Sequence, residues 1–254
     1  MVGELSVVVH RDADVLAAAA AARLLVRVVD AQHARGNASI VLTGGGVGIG
    51  TLKALAASPA RDAIDWGALD VWWGDERYLA PGDPERNEVQ ARAALLDAVP
   101  LDPARVHPMA ADTGADPDDA AGQYADELAK AAHSGAALPT FDVLMLGMGP
   151  EGHIASIFPE SPAADDERSV CAVRNCLKPP PTRISLTFPT ITSADEVWLL
   201  VAGAGKAEAV GLALSGTGRV QIPAAGARGG IRTLWLLDEA AAVNVPPNLR
   251  ARRN

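Results

Sequence analysis

The chain has 254 residues, of which 49% are hydrophobic, so it can bury a sizeable core in one or two domains. Its formal charge of −9 argues against a nucleic-acid surface, because the phosphates of DNA or RNA would be repelled. We therefore expect no nucleic-acid partner, although a local basic spot could still hold a small anion.

The sequence also gives expectations about location. Residues 1–14 lack the basic start and continuous apolar run of a signal peptide, and the alanine-rich run at 17–22 is too short to span a bilayer. Cys171 and Cys176 are too few for a disulfide framework or a zinc site. We predict reduced thiols, a cytoplasmic protein and no membrane partner.

Strand-like and helix-like patterns alternate along the chain. Runs rich in β-branched or apolar residues predict strands at Leu5–Val9, Ile40–Thr43, Leu69–Trp73, Asp142–Gly147, Ser169–Arg174, Arg183–Thr187, Glu196–Ala202 and Thr233–Asp238. Early acids, a proline near the first turn or a following glycine predict helices at Asp12–Ala34, Pro84–Ala98, Pro117–Ala132 and Gly205–Leu214.

This alternation predicts the α/β class, with a doubly wound, mostly parallel sheet that carries helices on both faces. No long linker divides the chain, so we expect a single domain over residues 1–254. Strands that are apolar on both sides, such as Asp142–Gly147, fit a sheet covered on both faces. Ligands of such sheets bind beyond the carboxyl ends of the strands, so the loops that follow strands hold the candidate site residues.

The segment VLTGGGVGIGTL at 41–52 runs from a strand through glycines into a helix. Consecutive glycines let main-chain N–H groups close around an anion, and a helix N-terminus adds favourable partial charge. The segment therefore favours phosphate binding over the alternative of a merely flexible turn.

Asp75, Glu76 and Arg77 come directly after a predicted strand, where topology turns a loop toward the ligand crevice. Asp75 could accept hydrogen bonds from sugar hydroxyls, and Arg77 could offer a planar pair of donors to a carboxylate or an oxyanion. The alternative is a solvated run of charges.

Two further cations stand at the ends of predicted elements. Arg183 opens a strand, and Lys206 begins a helix, where the dipole disfavours a cation unless an anion lies nearby. Each alone could form a surface salt bridge, but together with the glycine turn they predict a phosphate clamp.

The segment LGMGPEGHIASIFP at 146–159 permits two interpretations. Its glycines match G-x-G-x-x-G, but a nicotinamide site needs a long helix next and an acid about 20 residues on. Here FPESP at 158–162 interrupts any helix, and the next strand ends in Arg174. We favour a catalytic turn in which the carboxylate of Glu151 orients His153, a natural base near neutral pH.

Motifs of other common functional sites are missing or incomplete in the sequence. Residues 201–208 lack the first glycine of a P-loop, and the sequence contains no G-x-S-x-G nucleophile motif. The other histidines have no metal-ligand spacing, and we expect them on the surface or in loops: His10, His33, His107 and His133.

Together these segments resemble the 6-phosphogluconolactonase family, in the wider group that includes glucosamine-6-phosphate deaminase. The resemblance rests on TGGG (43–46), WGDER (73–77) with ERNEVQARAALL (85–96), LGMGPEGHIASIFP (146–159), RISLTFPTI (183–191) and VAGAGKAEAV (201–210). Their order and spacing agree over nearly the whole chain.

The resemblance implies hydrolysis of 6-phospho-D-glucono-1,5-lactone to 6-phosphogluconate in the oxidative pentose phosphate pathway, without a metal or an organic cofactor. It implies that His153 is the general base and that Arg77 binds substrate and transition state. We expect Glu151 to hold the imidazole of His153. The other implied substrate-binding residues are Thr43, Gly44, Gly45, Gly46, Asp75, Asn87, Gly152, Arg183 and Lys206. We expect a monomer, with an oligomer left open.

The sequence departs from the family pattern in three places. The glycine loop lacks the usual serine and proline, and Glu151 replaces the usual aspartate. SIFP at 156–159 replaces the FNEP of the deaminases, so Phe158 stands where they carry an acid used in ring opening. This favours a lactonase over an amino-sugar phosphate isomerase or deaminase. A non-catalytic sugar-phosphate sensor is the other alternative, against which the lack of a basic helix-turn-helix counts.

Overall fold

The computed structural model of the protein describes residues 3–133 and 135–249. Its strands are β1 Glu4–His10, β2 Ala38–Leu42, β3 Leu69–Trp73, β4 Asp75–Arg77, β5 Val143–Gly147, β6 Val170–Val173, β7 Arg183–Leu186, β8 Glu196–Val201 and β9 Arg232–Asp238. Its α-helices are α1 Ala13–Arg35, α2 Gly45–Ala57, α3 Asn87–Ala94, α4 Pro117–Ala131, α5 Phe188–Ile191 and α6 Ala207–Leu214. Each predicted strand is present to within two residues, and β4 was not predicted.

The main sheet is parallel throughout, with the strand order β1-β9-β8-β5-β2-β3. From β2 the chain moves outward to β3, whereas from β5 it moves in the opposite direction to β8 and β9. The winding therefore reverses between β2 and β5, and the crevice at their carboxyl ends is where such a sheet binds ligands. A hydrogen bond joins the two ends, since Gly147 N donates to Thr43 Oγ1 at 3.0 Å.

Alternate side chains of the sheet enter separate cores on its two faces. Leu42 of β2 belongs to one buried cluster with Leu24 of α1 and Leu52 of α2. Val41, the preceding residue, belongs to the other cluster, with Leu128 of α4. Burial of each such side chain stabilises the fold by about 1.5–3 kcal/mol. The predicted α/β class with helices on both faces is confirmed.

A second, antiparallel sheet has the order β4-β7-β6. The prediction of one sheet and of a loop at residues 75–77 is wrong in these details. Gly74 links the two sheets, because its N–H donates to Leu42 O at 3.0 Å and its carbonyl accepts from Leu186 N at 2.9 Å. The chain thus passes directly from β3 into β4.

The observed helix ends agree with some of the predicted ends and differ from others. Asp12 caps α1 by accepting from Val15 N at 2.8 Å, and Gly36 ends it with φ of 81°, close to the predicted bounds. The third helix is shorter than the predicted 84–98, because Pro84 lies in the turn before it.

The single-domain prediction spans 1–254 and so includes residues outside the described ones; it stays a prediction. Among the described residues, no helix combines the length and the apolar character that crossing a bilayer requires.

Candidate active site

A cavity of about 310 Å³ opens at the crevice between β2 and β5. Most of the predicted site residues line it: Thr43, Gly44, Gly45, Asp75, Arg77, Asn87, His153, Arg183 and Lys206. The lining does not include Gly46, Glu151 or Gly152, and it adds Lys178, which was not predicted from the sequence.

Gly44 and Gly45 form the turn between β2 and α2. Gly45 has φ of 80°, a conformation that favours glycine. A Cβ at Gly44 would lie 2.0 Å from Asn87 Oδ1, so only glycine lets the turn approach this side chain so closely. The N-terminus of α2 has no side-chain cap, which leaves its first N–H groups available to an anion.

The three charged side chains of the short strand β4 alternate between its two sides. Successive side chains of a strand face opposite sides, so Asp75 and Arg77 line the cavity and Glu76 is buried behind it. Asp75 Oδ2 accepts from Ser156 Oγ at 2.7 Å, and Asn87 Nδ2 donates to the Asp75 carbonyl at 2.8 Å. The aspartate is therefore held in one orientation at the cavity wall.

Glu76 ties β4 to the start of α3. Its carboxylate accepts from the N–H groups of Arg77 and Asn87 at 2.7 Å and of Glu88 at 2.9 Å, and Arg86 Nη2 lies 3.8 Å away. Burial raises the pKa of Glu76 to about 7, although these donors and the guanidinium lower it. The carboxylate fixes two cavity residues, Arg77 and Asn87, relative to each other.

His153 and Glu151 form a pair on the turn after β5. His153 Nδ1 lies 2.8 Å from Glu151 Oε1. A carboxylate only accepts hydrogen bonds, so we assign the proton to Nδ1, which leaves the lone pair on Nε2. The imidazole stacks on the Phe158 ring, with centroids 4.4 Å apart. On the far side of the carboxylate, Lys178 Nζ donates to Glu151 Oε2 at 2.8 Å.

The electrostatics of this pair suit a base. Burial lowers the pKa of His153, Glu151 only partly offsets this, and the nearby Lys178 lowers the pKa further. For Glu151, burial raises the pKa, but hydrogen bonds from Lys178, from its own backbone and from His153 together lower it more. At neutral pH the pair is thus an ionised carboxylate and a neutral imidazole, the state that a general base requires.

Arg183 and Lys206 reach the cavity from two other loops. Arg183 is 6% exposed, and its guanidinium donates to the carbonyls of Lys178, Pro179 and Pro180 at 3.2–3.3 Å. Lys206 directly precedes α6, as predicted. Burial and the neighbouring Lys178 lower the pKa of Lys206, so an anion in the cavity would favour its charged form.

The glycines of the apparent dinucleotide fingerprint have local structural roles. A Cβ at Gly149 would lie 2.1 Å from His153 Nδ1. Gly152 has φ of 88°, and a Cβ there would lie 2.9 Å from Ile222 Cγ2. Residues 153–161 form turns and isolated bridges, so the helix that a nicotinamide site needs does not follow the glycines.

A larger cavity of about 470 Å³ lies at the opposite edge of the main sheet, near the amino ends of β2 and β3. Its arginines are already paired: Arg35 Nη2 lies 2.5 Å from Asp142 Oδ1, and Arg105 Nη1 lies 2.6 Å from Asp70 Oδ2. Because ligands of parallel α/β sheets bind at the carboxyl edge, we place the site in the smaller cavity.

His107 lies in a loop, as predicted, but its side chain is only 12% exposed. The ring stacks on Trp72, with centroids 3.7 Å apart. Its nitrogens lie 2.8 Å from Glu127 Oε1 and 3.2 Å from Asp70 Oδ1. The residue connects β3 to α4 and lies outside the lining of the 310 Å³ cavity.

The fold and this cavity define an α/β protein whose carboxyl-edge site suits a small anionic ligand. Residues 11–235 match the model of the family described as glucosamine-6-phosphate isomerases/6-phosphogluconolactonase, and the chain belongs to this family. A Streptomyces coelicolor relative named 6-phosphogluconolactonase is 61% identical over 248 residues, which cover 95% of both chains. A Mycobacterium tuberculosis relative of the same name is 51% identical over 245 residues, covering 95% of this chain and 98% of the relative.

Solved structures agree with the family. The 6-phosphogluconolactonase of Trypanosoma brucei superposes with a TM-score of 0.81 at 28% identity, covering 96% of this chain and all (100%) of that one. A monomeric glucosamine-6-phosphate deaminase gives 0.77 at 20% identity, covering 96% of this chain and 100% of that one, a likeness of fold alone. The resemblance inferred from the sequence motifs is confirmed.

Proposed function

We propose that the cavity hydrolyses 6-phospho-D-glucono-1,5-lactone to 6-phospho-D-gluconate. The observation that carries the proposal is the contact of 2.8 Å between His153 Nδ1 and Glu151 Oε1, beside a cavity that His153, Arg77, Arg183 and Lys206 line. Relatives between 37% and 61% identical are named 6-phosphogluconolactonase, which supports this substrate.

His153 acts as the general base. A lactone carbonyl is electrophilic, so water can add to C1 directly while Nε2 takes its proton. The tetrahedral intermediate then breaks the bond from C1 to the ring oxygen, and the imidazolium returns the proton to that oxygen. General-base help of this kind contributes about 10²–10⁴-fold to the rate. The mechanism uses no covalent nucleophile, metal or organic cofactor.

Arg77 stabilises the oxyanion that forms at C1. Its Nη1 donates to the Glu85 carbonyl, which anchors the guanidinium beside the cavity. Loss of one such donor commonly lowers the rate by about 10²–10³-fold.

The remote phosphate provides binding energy that orients the lactone ring. Its contacts are the turn at Gly44 and Gly45 with the N-terminus of α2, together with Arg183 and Lys206. The role of Gly152 is indirect in this proposal, because it shapes the turn that carries His153.

The proposal extends to the setting of the reaction. Its product belongs to the oxidative pentose phosphate pathway, and the location is the cytoplasm. Cys171 and Cys176 are both free, which fits a reducing compartment.

One contact favours lactone hydrolysis over amino-sugar deamination. Phe158, which stands where the deaminases carry an acid, stacks on the His153 ring with an interplanar angle of 25°. An apolar ring at this place cannot transfer a proton for sugar ring opening.

The test generates the lactone freshly with a glucose-6-phosphate dehydrogenase and follows acid release with and without the protein. We expect acid release well above the spontaneous rate, and no ammonia from glucosamine 6-phosphate. Ammonia release would indicate a deaminase. Tight sugar-phosphate binding without turnover would indicate a sensor.

A further inference from the structure

Lys178 is a cavity-lining cation without a role in the mechanism above. Its Nζ donates to Glu151 Oε2 at 2.8 Å, and Oε1 of the same carboxylate lies 2.8 Å from His153 Nδ1. Lysine, glutamate and histidine therefore form one continuous chain of hydrogen bonds. The imidazole stands at its inner end, since the side chain of Lys178 is 42% exposed and that of His153 is 16% exposed.

The carboxylate of Glu151 needs a partner on its outer side. It is 26% exposed and stands on a turn between Gly149 and Gly152, neither of which has a side chain that could pack against it. Among the described residues, the side chains that hydrogen bond to it are His153 and Lys178. A free glutamate samples several rotamers, and only some of them reach Nδ1.

We propose that Lys178 is a positioning residue: by holding Glu151 Oε2 it keeps Oε1 against His153 Nδ1 and so keeps Nε2 turned to the substrate. This inference rests on the proposed hydrolysis. It assigns Lys178 to the base and not to the phosphate, because its ammonium is already bonded to the carboxylate.

The pKa of His153 provides a second measurement that tests the inference. The charges that act on His153 come from Glu151 and Asp75, which raise the pKa of the imidazole, and from Lys178, which lowers it. The cations on the other walls of the cavity are Arg77, Arg183 and Lys206. If Glu151 leaves Nδ1 when Lys178 is removed, His153 loses the hydrogen bond and the close charge that raise its pKa. These outweigh the charge of Lys178, which lowers it, so the pKa of His153 falls. The acidic limb of kcat/KM then moves to lower pH.

The test is a double-mutant cycle on freshly generated lactone with Lys178→Met, Glu151→Gln and the double variant. Lys178→Met is expected to lower kcat on the order of fivefold, with little change in KM. In the Glu151→Gln background the same change should have almost no effect, because Lys178 acts through Glu151. Lys178→Arg should restore most of the rate, since a guanidinium also donates to a carboxylate.

The matched control is Lys130→Met, which removes an exposed lysine of α4 outside the cavity and should leave kcat and KM unchanged. Two outcomes overturn the inference. A higher KM at constant kcat would make Lys178 a phosphate-binding residue. An equal loss of kcat in both backgrounds would show that it does not act through Glu151.

A titration of the His153 ring protons by NMR separates this inference from the proposed function, because it needs no turnover. His153→Asn assigns the signal. The midpoint should be lower in Lys178→Met than in the unchanged protein. An equal or higher midpoint would show that Glu151 stays on Nδ1 without Lys178 and would contradict the inference even if the lactone is hydrolysed. If the unchanged protein does not hydrolyse the lactone but Lys178→Met shifts the His153 midpoint as expected, only the proposed reaction is refuted.

Discussion

Lys206 is the residue whose charge depends most plainly on the ligand. Burial and Lys178 both lower its pKa, so the ammonium gains stabilisation when a phosphate enters the cavity. Lys206→Ala should therefore raise KM by about tenfold or more and weaken competition by inorganic phosphate similarly, while kcat changes less. Steady-state kinetics with and without inorganic phosphate measure both effects.

Lys53→Ala is the control, because it removes an exposed lysine of α2 outside the cavity. Unchanged KM and phosphate inhibition in Lys206→Ala would refute the role of Lys206 in phosphate binding.

The sequence predicts each candidate catalytic residue by itself, but it does not predict every side chain that contacts these residues. His153, Glu151 and Arg77 follow strands that apolar runs reveal, and topology directs such positions to the ligand edge. Lys178 stands in a proline-rich loop without periodicity, and its partner Glu151 is 27 residues away in sequence. A contact of this kind depends on how two loops meet in space, which no local pattern encodes.

Among the elements, β4 and α3 depend on Glu76. Glu76→Ala leaves the N–H groups of Arg77, Asn87 and Glu88 without the carboxylate that accepts from them. An unsatisfied buried donor costs about 1–3 kcal/mol, so we expect a loss of roughly 3 kcal/mol in the free energy of unfolding. Urea denaturation followed by circular dichroism measures it.

Activity should fall together with stability in this variant, because Arg77 and Asn87 both line the cavity. Glu167→Ala, which truncates an exposed glutamate, should change neither quantity. If Glu76→Ala unfolds at the urea concentration of the unchanged protein, the carboxylate is not what anchors the start of α3.

The antiparallel sheet shows that strands can be predicted from the sequence without their pairing. Residues 169–174 and 183–187 were recognised as strands, but alternation of apolar residues does not say which strand pairs with which. Asp75–Arg77 is a strand because it pairs with Arg183–Ser185, more than 100 residues later. Three charged residues have no strand signal of their own.

At the scale of the whole molecule, His107 links β3 to α4 and makes stability depend on pH. Burial lowers the pKa of His107, but hydrogen bonds and charges from Asp70 and Glu127 raise it more, so the net shift is upward. A raised pKa in the folded state adds stability that is complete below the unfolded value near 6.5 and is lost as pH rises through the folded value.

His107→Asn should therefore destabilise the protein by about 1–2 kcal/mol more at pH 6 than at pH 9. Urea unfolding at the two pH values measures the difference. Gln123→Ala, which truncates an exposed uncharged residue of α4, should show no such pH dependence. Equal destabilisation at both pH values would mean that the charged imidazole contributes nothing to the fold.

The architecture as a whole was the most predictable level, because alternating strands and helices leave few ways to build a covered parallel sheet. The position of the site also depends on the strand order, because the winding of the chain reverses between β2 and β5. That reversal brings the glycine turn after β2 and the His153 turn after β5 to one cavity.

The most direct measurement of the central claim is acid release from fresh lactone by His153→Asn beside the unchanged protein. We expect turnover to fall by about 10²–10⁴-fold while circular dichroism and the binding of inorganic phosphate stay the same. Near-normal turnover in a folded His153→Asn variant would contradict the account, because the water would then be activated by a group other than the imidazole.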